Sequence, residues 1–94
     1  MKIPKKLKIG NLTYSVRYEE DEAFENCGKS SMVKGYIRLN NDMAPELQEE
    51  TFFHEIVHQI LTQKSFSDES KNEQLVDTLS GGLYQVLSDN NLLR

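Results

Sequence analysis

The pattern of hydrophobic and polar residues changes near residue 44, from an alternating period to a helical one. Before that point, apolar residues alternate with polar ones in residues 6–9, 13–18 and 36–39, which predicts three short strands, and residues 29–32 are interpreted as a fourth without a clear alternation. Gly10-Asn11 between the first two is a two-residue turn signal in which the glycine supplies a positive φ. Residues 33–35 turn between the last two, with Ile37 and Leu39 facing the core. The pattern predicts two hairpins in a small, mainly antiparallel sheet within residues 5–40.

After residue 44, a helical period predicts two helices, over residues 45–63 and 71–88. Pro45 suits a first helical position, and the glutamates that follow favour the positive end of the helix dipole. The apolar arc of this helix is wide, so we expect most of its circumference to be buried. The arc consists of Leu47, Phe53, Val57, Ile60 and Leu61, with Phe52 and Ile56 beside them. The second helix is expected to pack on the first through an apolar stripe, with close approach to another backbone at a glycine pair. The apolar stripe consists of Leu75, Leu79, Leu83 and Val86. The glycine pair is Gly81-Gly82.

Composition limits the chain to one domain of a common type. The 94 residues supply one core, and 37% hydrophobic with 28% charged residues is typical of globular proteins. The expected fold class is α+β, a small antiparallel sheet of two hairpins packed on two helices. The basic first residues lack the apolar segment of a secretory signal, and no run reaches the ~20 apolar residues of a membrane span, so a cytoplasmic protein without a membrane partner is expected.

Charge and cysteine content narrow the classes of function. The net charge of −4, without a concentrated basic segment, argues against a nucleic-acid partner. The acidic run 19–22 and the residues up to 28 are predicted to be a solvated loop, because the oxygen-ligand alternation of a calcium loop is missing. The single cysteine, Cys27, excludes an internal disulfide and a cysteine-based zinc site. We expect Cys27 to be a small buried or half-buried residue; the alternative is a thiolate that caps a metal in a latent enzyme.

The two histidines of the chain form an HExxH motif, His54-Glu55-Ile56-Val57-His58. On a helix, residues four apart lie on one face, so both imidazoles can reach one metal ion. Glu55 lies roughly 100° further round the helix, beside the ion. Two neutral imidazole ligands and a carboxylate placed to take a proton from metal-bound water are typical of a zinc hydrolase. Structural histidines without a metal are the alternative.

A catalytic zinc needs a third protein ligand, and this one must be a carboxylate because no third histidine exists. The second helix offers Glu73 and, one turn later, Asp77. Ser70 to Glu73 also fits a capping box, in which Glu73 reaches back to the helix start. In that case Asp77 becomes the third ligand. The spacing leaves both arrangements open.

HExxH on one helix, followed on the next by a glutamate and four residues later by an aspartate, resembles the gluzincin pattern of thermolysin-like peptidases. The chain is also similar to very small gluzincins and to ImmA/IrrE-type metallopeptidases of bacteria and their phages, in which a short sheet precedes the motif. The resemblance implies a zincin-like domain, Zn²⁺ as cofactor and a polypeptide substrate. It implies His54, His58 and Glu73 as metal ligands, Glu55 as general base and Asp77 as the carboxylate that orients a ligand histidine.

Substrate contacts and the oxyanion stabiliser are less well defined by the sequence. Strand 36–40 is interpreted as a sheet edge that pairs with an extended substrate, with Tyr36 and Arg38 as substrate-binding residues. The oxyanion formed during hydrolysis would be stabilised by Arg38, by the metal alone or by one of the four tyrosines. Those tyrosines are Tyr14, Tyr18, Tyr36 and Tyr84. A zinc-containing domain that no longer cleaves peptides, and serves in regulation or protein interaction, is the alternative function.

Overall fold

A computed structural model describes residues 1–20 and 27–93 of the chain. Part of the predicted acidic loop, residues 21–26, lies outside the described residues. The α+β class is confirmed: four strands are followed by two long helices and, between them, a one-turn helix that was not predicted. The elements are β1 (Lys6–Ile9), β2 (Leu12–Glu19), β3 (Gly28–Ser31), β4 (Tyr36–Asn40), α1 (Pro45–Gln63), α2 (Ser67–Ser70) and α3 (Glu73–Asp89).

The four strands form one sheet in the order β1-β2-β4-β3. Each predicted hairpin is present, since β1 pairs antiparallel with β2 and β3 pairs antiparallel with β4. Gly10 in the first turn has a φ of 59°, the left-handed region that a side chain disfavours. The two hairpins join through a parallel pairing of β2 with β4. β4 is therefore an interior strand, and its interpretation as a substrate-binding edge is wrong; β3 is the edge on that side.

The core lies between one face of the sheet and α1. Ile37 and Leu39 are fully buried, as predicted from the alternation in β4. Tyr14 in β2 is also fully buried, and Phe52 of α1 packs into the same cluster. Since successive strand residues face opposite sides, the polar residues of these strands lie on the outer face of the sheet.

The face that α1 presents to the sheet is partly polar, which corrects the predicted wide apolar arc. Besides Phe52, the buried residues of α1 are Thr51, Glu55 and Gln59, which follow one another at four-residue intervals. Two residues assigned to the buried arc, Leu47 and Ile60, are instead 44% and 43% exposed. The polar stripe is buried because β3 brings it hydrogen-bonding groups, described below.

Helix α3 packs on α1 through a different face from the one predicted. Its buried residues are Val76 and Ser80, whereas Leu79 and Leu83 are about half exposed. A Cβ placed on Gly81 would lie 3.2 Å from a carboxylate oxygen of Glu50, a side chain and not a backbone. A Cβ on the neighbouring glycine would meet nothing within 4 Å, so the expectation of close backbone contact is wrong for both positions of the pair.

None of the helices in residues 1–20 and 27–93 combines the length and apolar character that crossing a membrane requires.

Candidate metal centre

The two histidines of the motif converge on one point. His54 and His58 lie one turn apart on α1, and their Nε2 atoms are 3.1 Å from each other. The rings meet edge to face, with centroids 4.7 Å apart and an interplanar angle of 71°. Their side chains keep 18% and 16% of their surface exposed, so both reach an open cleft. A rigid helix thus holds two nitrogen donors at one position.

Glu73, the first residue of α3, completes the cluster. Its Oε2 lies 3.1 Å from Nε2 of His54, and its Oε1 lies 3.1 Å from Nε2 of His58. The side chain of Asn72 caps α3 by accepting a hydrogen bond from the main-chain N–H of Leu75. The capping box that starts at Ser70 is therefore not formed, and the carboxylate of Glu73 faces the histidines.

The outer ring nitrogen of each histidine is held by another residue. Nδ1 of His54 is 2.8 Å from Oδ1 of Asp77, a carboxylate oxygen that can accept a hydrogen bond from it. Nδ1 of His58 is 3.2 Å from Oγ of Ser70, which also lies 3.1 Å from the main-chain oxygen of His58 and 3.0 Å from Oγ1 of Thr62. When Nδ1 is the donor in both contacts, the two Nε2 lone pairs face each other. Two lone pairs and a carboxylate at this spacing repel one another unless a metal cation or a proton lies among them.

The donor atoms fit a zinc ion in both spacing and chemistry. Zinc binds histidine nitrogen and carboxylate oxygen at about 2.0–2.2 Å, so two ligands of a tetrahedral site lie roughly 3.3 Å apart. The three separations of 3.1 Å in the cluster are close to that value. Within the described residues, His54, His58 and Glu73 are a group whose ligand atoms lie near enough together for a metal ion. A zinc ion held by these three residues would have a further coordination position for a water molecule.

Glu55 points away from solvent and toward the sheet. Its side chain is 6% exposed, and its Oε1 accepts a hydrogen bond of 2.7 Å from the hydroxyl of Ser30 in β3. Burial raises the pKa of Glu55, because the charged carboxylate loses its hydration, while the hydrogen bond from Ser30 and the two nearby imidazoles act in the opposite direction. Gly28 permits this approach of β3 to α1, since a Cβ there would lie 2.7 Å from the Thr51 methyl group.

We expect Glu55→Gln to stabilise the metal-free protein at neutral pH. A raised pKa means that the folded state binds the proton more tightly than the unfolded chain. Wild-type stability therefore declines as the pH rises from below the ordinary value of 4.5 through the raised pKa, and the glutamine variant lacks this loss. Urea unfolding in a chelator at about pH 4 and about pH 7.5 measures the difference between the two proteins, which should be larger at the higher pH. A variant that is less stable than wild type at neutral pH contradicts this expectation.

An open cleft of about 970 Å³ contains the cluster, Glu55 and part of β3. Of the residues predicted to contact substrate, Tyr36 lines the cleft, whereas Arg38 is absent from its lining and pairs with Glu19 at 3.0 Å. Cys27 also lines it, and is exposed where a buried or half-buried residue was expected. The ring of Tyr36 lies against the guanidinium groups of Arg17 and Arg38, so lining the cleft does not make it the oxyanion stabiliser, and the choice among the four tyrosines, Arg38 and the metal stays a prediction.

Sequence reasoning missed the residues that support the two halves of the site. Ser30 lies in a short polar strand without a periodic signal, and Ser70 lies in the one-turn helix that was predicted as a loop. Thr62 contributes to the same support, since its Oγ1 is 3.0 Å from that of Ser70. Gln59 was detectable, because it follows Glu55 by four residues and so shares its helix face.

Comparisons of the chain with protein-family models, with curated proteins and with solved structures found no match. The resemblance to gluzincins therefore stays an expectation drawn from the motif and its spacing.

Proposed function

We propose that this protein is a zinc-dependent peptidase in which His54, His58 and Glu73 hold the metal. The observation that carries the proposal is the convergence of two Nε2 atoms and a carboxylate at 3.1 Å, with both outer ring nitrogens in contact with other side chains. Hydrogen bonding of the outer nitrogen to a carboxylate is the usual support of a histidine that ligates zinc, and Asp77 provides it here. A gluzincin-like active site in a cytoplasmic protein is the corresponding assignment.

The chemistry of the site divides between the metal and Glu55. A zinc ion bound there would polarise the scissile carbonyl and lower the pKa of a coordinated water. Glu55 lies beside the histidines in the same cleft, where its carboxylate takes a proton from the attacking water and returns it to the leaving amine. Asp77 and Ser70 keep the imidazoles in the tautomer that binds metal.

The cleft favours an extended polypeptide as substrate. Gly28 and Ser30 of the edge strand line it, so the outer edge of β3 offers main-chain hydrogen bonds to a peptide laid beside the metal. This replaces β4, whose two sides are already paired. The width and openness of the cleft suit a chain segment and not a small enclosed ligand.

Metal analysis combined with peptide digestion tests the proposal. The purified chain is expected to bind one zinc per molecule in a calorimetric titration and to cleave members of a random peptide library detected by mass spectrometry. A chelator should stop cleavage, and added zinc should restore it. A chain that takes up no zinc, or cleavage that a chelator leaves unchanged, would overturn the assignment. Zinc uptake without any cleavage would favour the alternative of a zinc-containing interaction domain.

A further inference from the structure

A line of hydrogen bonds runs from the β1–β2 hairpin through the interface between sheet and helix to Glu55. It begins at a main-chain carbonyl and passes through four side chains before it reaches the carboxylate. Its members, in order, are Ile9, Gln63, Tyr14, Gln59, Ser30 and Glu55. Its donor–acceptor distances lie between 2.7 and 3.0 Å, within the ordinary range for such bonds.

The direction of the first bonds is fixed by chemistry. The carbonyl of Ile9 can only accept, so the side-chain nitrogen of Gln63 must face it, at 3.0 Å. The same nitrogen donates to the hydroxyl of Tyr14 at 2.9 Å. Tyr14 thus accepts from Gln63, and its single proton goes to the side-chain oxygen of Gln59 at 2.8 Å.

The remaining bonds follow from that arrangement. With its oxygen engaged by Tyr14, Gln59 presents its nitrogen to Ser30 and donates at 2.8 Å. The hydroxyl of Ser30 accepts this bond, so its only proton is given to Oε1 of Glu55 at 2.7 Å. Every group in the line has one consistent orientation, and that orientation requires Oε1 to be an acceptor.

Burial makes this orientation hard to change. Tyr14 is fully buried, and Gln59 and Glu55 are 5% and 6% exposed. A side chain that turned away would leave a largely buried polar atom without its partner, which is costly. The carboxylate of Glu55 is therefore held by the sheet and not only by its own helix.

We propose that Ser30 and Gln59 are positioning residues that determine which carboxylate oxygen of Glu55 acts in the cleft. This deepens the proposed peptidase function and rests on it. Ser30 occupies Oε1, and within residues 1–20 and 27–93 no hydrogen bond to Oε2 accompanies it, so Oε2 is the oxygen available to a water beside the metal. Gln59 acts through Ser30, since its donated hydrogen bond leaves the hydroxyl proton no other direction.

Kinetics of the zinc-loaded full chain test the positioning role. Ser30→Ala and Gln59→Leu should lower kcat about 10- to 100-fold, as expected for a misplaced catalytic group, with KM changed less than about twofold and zinc content unchanged. Ser30→Thr, which keeps the hydroxyl, should retain most of the activity. The matched control is Ser31→Ala, in the same strand on the opposite face, where the hydroxyl accepts a bond from the main-chain N–H of Lys34. An unchanged kcat in Ser30→Ala overturns the proposal.

Crystal structures of the zinc-loaded wild type and Ser30→Ala give a second readout that does not depend on turnover. The variant should show Glu55 rotated or in two conformations while His54, His58 and Glu73 keep their positions. A Glu55 carboxylate that stays in place without the serine hydroxyl overturns the positioning role, whether or not the protein cleaves peptides. A wild type that binds zinc and cleaves nothing contradicts the peptidase function, and the position of Glu55 in the variant still decides the role of Ser30.

Discussion

Glu55→Gln is expected to lower peptide hydrolysis by about 10²- to 10⁴-fold, the usual contribution of a general base. The amide has no basic lone pair to take a proton from water, yet its oxygen can still accept the hydrogen bond from Ser30. The substitution also removes a buried charge whose pKa is raised, so we expect the variant to stay folded. Rates against a library peptide, together with zinc content and a thermal melt, measure the three quantities separately.

The control for this variant is Glu46→Gln, the same chemical change at an exposed position in the first turn of α1. It should leave rate and zinc content at wild-type values. Equal cleavage by wild type and Glu55→Gln would show that Glu55 is not the base. The absence of cleavage from both proteins, with zinc bound in each, would indicate a zinc-containing domain that acts through interaction.

Glu73→Gln is expected to weaken zinc binding more than Asp77→Asn does. Glu73 supplies oxygen atoms 3.1 Å from both Nε2 atoms, so its loss removes a donor and a negative charge from the cluster. Asp77 contacts only the outer nitrogen of His54, at 2.8 Å, and residues that orient a ligand in this way contribute about 10- to 100-fold in metal affinity. Competition with a chromophoric chelator measures both affinities.

Glu69→Gln, an exposed carboxylate on α2 with the same change of charge, is the control and should bind zinc as the wild type does. The opposite order, with Asp77→Asn the more damaging, would make Asp77 the third ligand. If all three variants bound zinc as tightly as the wild type does, neither Glu73 nor Asp77 of α3 would contribute to zinc binding.

Local signals in the sequence were enough to predict the parts of the fold that depend on neighbours in the chain. The Gly10 turn and the alternation through Ile37 and Leu39 predicted two hairpins that the structure contains. The parallel pairing of β2 with β4 was not predictable, because it joins segments about twenty residues apart and leaves no local pattern. As a result the edge strand was assigned to β4 when it is β3.

The candidate site shows the same division. The four-residue spacing of His54 and His58 places them together on any helix, so the pair was predictable. Glu73 and Asp77 share one face of α3, and spacing alone could not rank them; only their distances to different ring nitrogens separate them. Ser30 was missed because its role depends on the tertiary approach of β3 to α1 and not on its neighbours in sequence.

Strand β3 also bears on how the protein avoids aggregation. An exposed edge with unpaired main-chain groups is a template for other chains, and natural proteins protect such edges by keeping them short and by placing lysine on them. β3 has four residues, Gly28–Ser31, and one of them is Lys29. A longer apolar edge would hold a peptide more firmly, but it would also pair with the same edge of a second molecule. The brevity of β3 therefore limits self-association along the edge of the cleft.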